Sequence, residues 1–436
     1  MWMWGSWVVF PEEVMTMTRT WFTSAMTVVW AVAGTAAYGD ITVPGADGSD
    51  GVFNPTSNIE VDLSQAATRQ WDQPSPVAGK GVYDPNKWAV IFKYSSVNIP
   101  SGVTVTFKNH ASRAPVVWLV SGDVTVAGTL SLNGGAGYNY GGPVSHAEPG
   151  PGGFRGGVGG DFNRPNSGGM GPGGSSSQAA SSGNSPGGSY ASTGGAGGGL
   201  YGHPALRALI GGSGAAGPLF SFGGGAGGGA ILIASAKTIS LQGLVSANGG
   251  AGPCTDAYGA CWQSAGGGSG GAIRLVADTV TGGGALRAVG GPSEFHPGGA
   301  GRIRVERNSG TINDPGAPGF TEGSPGETAT IWPETTAPSI RVTVIGDQNV
   351  PADPRASFDF PGQDTSLTDP SSITIRLECR NTPPDWNVKV RVVPKTGADF
   401  AVDAVLVSGD LSASVWEASL SLPDGFCAIQ ARASKP

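Results

Sequence analysis

An all-β chain, a parallel β-solenoid followed by a small β-sandwich, is what these 436 residues predict. Three observations carry that expectation. Glycine fills 75 positions while helix formers are scarce. A glycine-flanked block recurs through the longer, N-terminal part. After Pro338 the glycines thin out and strict two-residue alternation takes over.

The glycines exclude two classes first. Glycine in a helix interior costs roughly 1 kcal/mol relative to alanine, so long helices are not expected over most of the chain. No strict G-X-Y period with proline runs through it, which excludes collagen. Only 13% of residues are charged, the formal net charge is −7 and there is no Lys/Arg run. Nucleic acid is therefore set aside as a partner.

Residues 1–39 read as an export signal. Arg19 supplies a positive charge, 21–33 is mostly apolar, and Gly34, Thr35, Ala36, Ala37 and Gly39 form a small-residue exit. Glu12 and Glu13 fit no part of a signal, so the true start is expected at Met15 or Met17. The alternative is a retained N-terminal anchor. No second hydrophobic segment follows, so the mature chain is expected to have no stable membrane span.

The recurring block sets the architecture. Residues 223–250 read GGGAGGGAILIASAKTISLQGLVSANGG, and 266–291 read GGGSGGAIRLVADTVTGGGALRAVGG. A partial copy opens at Gly298, and DVTVAGTLSLNGGAG at 123–137 matches TISLQGLVSANGGAG at 238–252. Each unit has a glycine-rich entry, a short aliphatic strand, a turn, a second strand and a Gly-Gly exit. One such unit buries too little to stand alone, whereas stacked units bury a continuous aliphatic column. Equivalent isoleucines at 231, 273 and 303 predict one winding per block, with insertions at the corners. Ile59–Leu63, Trp88–Phe92, Val103–Phe107 and Val116–Val120 extend the same pattern upstream. The expected domains are 1–39 signal peptide, 40–332 glycine-rich right-handed parallel β-helix, and 333–436 sandwich.

Residues 134–230 interrupt the pattern with Gly, Ser and Pro. An ordered flap along one solenoid face is expected, with stacked polyglycine-type helices and absence of order as alternatives. Beyond Pro338, Ile340–Ile345, Ile373–Arg380, Val388–Val392, Ala404–Val407, Val415–Leu420 and Phe426–Ala431 alternate cleanly. Short strands at this spacing, broken by Pro, Gly and Asp, follow the immunoglobulin-like sandwich pattern. Cys379 and Cys427 share the inward parity, which predicts a bridge between them, with two buried free thiols as the alternative. Cys254 and Cys261 bracket a short loop and are expected to bridge, because no His has ligand spacing against them for zinc.

The search for chemistry finds only weak candidates. Glu148-Pro149-Gly150-Pro151-Gly152-Gly153-Phe154-Arg155 presents a carboxylate and a guanidinium from a stiff turn. Glu148, Asp161, Arg155 and His110 are the candidate catalytic residues, against the alternative of a turn held by a surface ion pair. Arg274, Arg302, Arg304, Asp278 and Glu306 read as surface charge. Gly156–Asn163 nearly matches the calcium nonapeptide, which makes Asp161 a weak metal ligand, but Asn163 stands where an apolar residue belongs and the motif is not repeated. No cofactor is expected beyond that calcium. Trp88, Tyr138, Tyr140 and Trp262 are candidate platforms for stacking on sugars.

The block GGxGGAIxLxA…GxLxAxGG, the stretch Lys93–Pro100 and the Glu148–Gly157 run resemble exported bacterial glycine-rich β-helix proteins of uncharacterised activity. The resemblance covers about residues 45–310, and the tail is similar to immunoglobulin-like modules of bacterial surface proteins. It implies the fold and no catalytic residue. The expected function is a secreted or cell-surface structural or adhesive protein that binds extracellular polysaccharide or surface matrix. The alternative is a polysaccharide lyase or glycoside hydrolase with an accessory sandwich.

Overall fold

Val90, Val116, Ile231, Ile273 and Ile303 stand opposite one another in adjacent parallel strands, and Phe92, Trp118, Ile233, Leu275 and Val305 repeat the ladder two residues on. The computed structural model describes Trp2–Met3 and residues 40–436, apart from 140–143, 162, 180–183, 196–197, 220–221, 255–260, 262 and 360. The expected signal region otherwise lies outside the described residues. The fold is all-β, with no α-helix among the described residues.

The parallel strands form three columns. The first holds residues 90–94, Val116–Val120, Ala230–Ser235, Ala272–Val276, Arg302–Glu306 and Thr321–Gly323. A second runs from 97–99 through Val124–Val126 and Thr238–Leu241 to Thr279–Thr281. The third holds Ile59–Asp62, Thr104–Lys108, Thr129–Ser131, Leu244–Ser246 and Ala285–Arg287. Four passes of the chain, 90–108, 116–131, 230–246 and 272–287, thus give one strand to each column, in the register read from the sequence repeat. Alternate side chains point into one shared interior of Val, Ile, Leu and aromatic residues, most of them fully buried.

The other face of the first column is also covered. Ile91, Val117, Leu119, Leu232 and Val276 pack under Ile41, Val43, Ala329, Ile331 and Trp332. Thr42 pairs in parallel with Thr328, its N–H donating to Glu327 O at 2.8 Å. This cover corrects the reading of Arg274 and Glu306 as surface charge. Both are buried, Arg274 Nη2 meets Glu306 at 3.1 Å, and the same nitrogen donates to Thr330 O at 2.7 Å. The segment that covers them comes from the far end of the parallel part, so local spacing carried no sign of it.

Between 132 and 229 the described residues include extended segments hydrogen-bonded to several neighbours. Gly223, Ala226 and Gly229 donate their N–H groups to Tyr138, Gly135 and Leu132. Gly224, Gly227 and Ala230 donate to Gly157, Phe154 and Pro151, while Gly225 and Gly228 donate to Gly266 and Ser269. Every third amide faces the same neighbour, which is the period of an extended three-residue helix rather than of a strand. Of the alternatives open at the sequence level, stacked polyglycine-type segments match this arrangement. Glycine is required because the neighbours leave no room: a Cβ on Gly227 would overlap Gly212 O, and one on Gly268 would overlap Ala226 O. Buried serines complete the bonding, with Ser269 Oγ accepting from Ser213 N at 2.7 Å and Ser175 Oγ from Ala216 N at 2.7 Å.

The C-terminal part has two antiparallel sheets over one core. Ser339–Ile345, Ile373–Arg380, Ala413–Leu420 and Val405–Gly409 form one, and Cys427–Ser434, Asn387–Pro394 and Phe400–Asp403 the other. Ile375, Leu377, Trp416, Val390 and Ile429 fill the space between them. The chain changes sheets at Ala404: the expected strand Ala404–Val407 corresponds to Val405–Gly409, and Phe400–Asp403 before it was not expected. A second apolar seam joins this part to the glycine bundle, with Phe154, Met170, Tyr190 and Tyr201 sharing a cluster with Val393, Ala428 and Phe358.

Cys254 and Cys261 are bridged, as expected. Cys379 and Cys427 are not; both are free and buried, which corrects the predicted bridge. Parity placed them on the inward side correctly but said nothing of height. Cys379 is next to the end of its strand, close in sequence to Asn387, which pairs with Ser434, whereas Cys427 pairs with Pro394 at the other end of the same strand. At about 3.4 Å per residue those ends are about 24 Å apart, far beyond the roughly 7 Å a disulfide spans.

Candidate functional site

Glu148 lies where the chain enters the glycine bundle, and both of its oxygens are occupied. Oε1 accepts from Arg113 Nε at 2.8 Å and Asn109 Nδ2 at 3.2 Å, and Oε2 accepts from Arg155 Nε at 3.2 Å. The two guanidiniums are buried, while the carboxylate is half exposed. Arg155 also reaches Ala356 O at 3.4 Å and lies 5.6 Å over the Phe358 ring. Glu148 and Arg155 are thus brought together, in an ion-pair cluster that ties the bundle to the C-terminal part.

Asp161 is not part of that cluster. It pairs with Arg164 at 3.0 Å and accepts the Asn163 N–H at 2.8 Å, closing its own turn. A calcium site needs six to eight oxygens, and among the described residues no group of three His, Cys, Asp or Glu side chains converges. His110 is buried against Tyr83, ring centroids 4.1 Å apart, with Nδ1 2.8 Å from Ser112 Oγ. Burial and the Arg355 charge lower its pKa, so it is neutral at pH 7. Tyr83 is buried and donates to Asp353 Oδ1 at 2.5 Å; its pKa is raised by burial and by that bond. The pair is locked rather than poised.

Among the proposed sugar platforms, Tyr138 is tied into the bundle, its hydroxyl accepting from Gly159 N at 3.0 Å. Tyr140 and Trp262 lie outside the described residues. Trp88 does line an open space. A cleft of about 840 Å³ separates the parallel part from the C-terminal part, and Trp88 forms one wall. The residue has a left-handed backbone, φ 45°, and its Nε1 donates to Ser112 O at 3.1 Å. Such a backbone is costly for a bulky side chain and is held here by the surrounding turn Asp84–Lys87.

A second aromatic in the cleft lining was missed in the sequence. Trp332 stands there, edge-on to Trp71 at 5.4 Å, with Lys87 Nζ 5.4 Å above its ring. Arg207 pairs with Glu334 beside it, and Arg341, Asp353 and Arg355 complete the rim. These residues come from three distant stretches; Arg207 and Glu334 alone are 127 positions apart. The available signal was Trp332-Pro333 at the composition break, since clefts favour junctions between structural units. The arrangement offers two indole side chains, charged groups and open volume, while both of its carboxylates already have partners within the chain.

Compared with known proteins, the chain matches no family model, no curated protein and no solved structure. Among the described residues, no helix is long and apolar enough to cross a membrane.

Proposed function

We propose that this is a secreted or cell-surface structural or adhesive protein that binds extracellular polysaccharide in the cleft between its parallel and antiparallel parts. In this reading residues 1–39 direct export, the parallel part is a right-handed β-helix serving as a stiff spacer, and the antiparallel part is an immunoglobulin-like sandwich. The observation that carries the reading is the cleft itself, with Trp88 and Trp332 both in its lining. Indole faces stack on sugar rings, and polar groups around them fix orientation. Binding is favoured over turnover because Glu334 and Asp353 are each tied to a neighbouring side chain. A glycosidase needs two carboxylates free to face the scissile bond.

The test is a polysaccharide panel read two ways, by tryptophan fluorescence for binding and by new reducing ends or unsaturated uronates for turnover. Saturable binding without turnover is expected. Trp332→Ala should weaken it more than tenfold, since an anchoring Trp contributes about 2 kcal/mol. Turnover that Glu148→Ala abolishes would instead establish the carbohydrate-active enzyme.

A further inference from the structure

We infer that the polysaccharide taken by this cleft is an acidic one, a uronate-bearing chain whose carboxylates meet Lys87, Arg341 and Arg355. The inference rests on the glycan-binding reading above and narrows its ligand class. Four permanent cations line the cleft, Lys87, Arg207, Arg341 and Arg355, against two carboxylates, Glu334 and Asp353. The cleft is therefore cationic within a chain whose formal net charge is −7.

The distribution of partners sharpens this. Arg207 is neutralised by Glu334. Asp353 accepts the Tyr83 hydroxyl at 2.5 Å and has Arg355 only at 3.9 Å. Arg341 gives one bond, to Pro351 O at 3.2 Å, which leaves most of the guanidinium fork turned to solvent. Lys87 has its ammonium above the Trp332 ring, so a carboxylate beside that ring would meet the charge. Guanidinium forks match carboxylates in a bidentate geometry that no neutral hydroxyl reproduces. A uronate ring supplies both elements, an apolar face for the indole and a carboxylate at its edge. A neutral hexose supplies only the first.

The experiment compares polygalacturonate with its fully methyl-esterified form, which keeps the backbone and masks the charge, using the full mature chain. Wild type should bind the acid on the order of tenfold tighter than the ester, with the advantage shrinking as salt rises from about 50 mM to about 500 mM. The triple variant Lys87→Gln/Arg341→Gln/Arg355→Gln should bring acid and ester to equal affinity, while Trp332→Ala weakens both. Equal binding of acid and ester by wild type overturns the acidic assignment and leaves the glycan-binding reading standing. Failure to bind either form or any neutral polysaccharide overturns both.

Discussion

Arg391 meets Asp399 at 2.8 Å within the C-terminal part, and the same guanidinium donates to Gly169 O at 3.0 Å and Ser175 O at 3.1 Å in the glycine bundle. Asp399 in turn accepts from Ser177 N at 2.8 Å and Ser177 Oγ at 2.9 Å. This ion pair thus joins the Glu148–Arg155 cluster in the polar seam between the two parts.

Removing one partner of a buried pair strands the other. Arg391→Ala should destabilise the protein by about 3 kcal/mol, read from urea unfolding followed by tryptophan fluorescence. Because the seam fails first, the C-terminal transition should separate from the remainder. A single unshifted transition would show that the seam carries no load.

The same pair sets an acid limit. Burial raises the Asp399 pKa, but the Arg391 charge and the bonds from Arg391 and Ser177 outweigh it, so the value lies below the usual carboxylate range. A pKa lower in the folded than in the unfolded chain adds stability above the unfolded value and loses it as pH falls through the folded one. The unfolding midpoint should hold between pH 7 and about 5 and decline below about pH 4. Asp399→Asn should start lower and decline less steeply; an identical slope in the variant would assign the acid loss elsewhere.

Crowding in the glycine bundle is testable with two alanines. Gly268→Ala sets a methyl into the Ala226 carbonyl and should cost about 3 kcal/mol or yield insoluble protein. At Gly283 the only atom near a new Cβ is Asn313 Nδ2 at 3.8 Å, so Gly283→Ala should stay within about 0.5 kcal/mol of wild type. Thermal melts of the pair decide it, and equal melting temperatures would contradict the close packing.

Glu306→Ala leaves Arg274 buried without its carboxylate and should cost about 3 kcal/mol or more. Replacing both, Arg274→Met with Glu306→Leu, should recover most of that loss. If the double variant is as unstable as the single one, the pair does more than fill its space.

Burial pushes the Cys379 thiol up to about 12 and the Cys427 thiol up to about 11. Neither should react with a thiol reagent in native protein at pH 8. In guanidinium without reductant two thiols per chain should appear, the Cys254–Cys261 bridge staying closed. Titration of four, or of none, contradicts this pattern.

The ladder of Ile231, Ile273 and Ile303 was readable in the sequence because a repeat reports its own register: equivalent residues must meet if the blocks stack. The antiparallel strands were readable from parity, which reports a face but not a height; hence Cys379 and Cys427 were placed inside correctly and paired wrongly. Position in a periodic pattern also hid the burial of Arg274, since the cover over it arrives from residues 327–332. The cleft was the least legible feature. Trp88 could be singled out, but Trp332, Arg341 and Arg355 acquire meaning only once the two parts dock.

The three-residue period in the glycine bundle has a mechanical corollary. A pleated sheet is bonded sideways in one plane and can peel from an edge. Segments such as 223–230 are bonded to neighbours at three azimuths and offer no free edge to begin peeling. Tension applied along this protein would have to shear whole rows of amides at once, so the region that lacks regular strands should be among its stiffest.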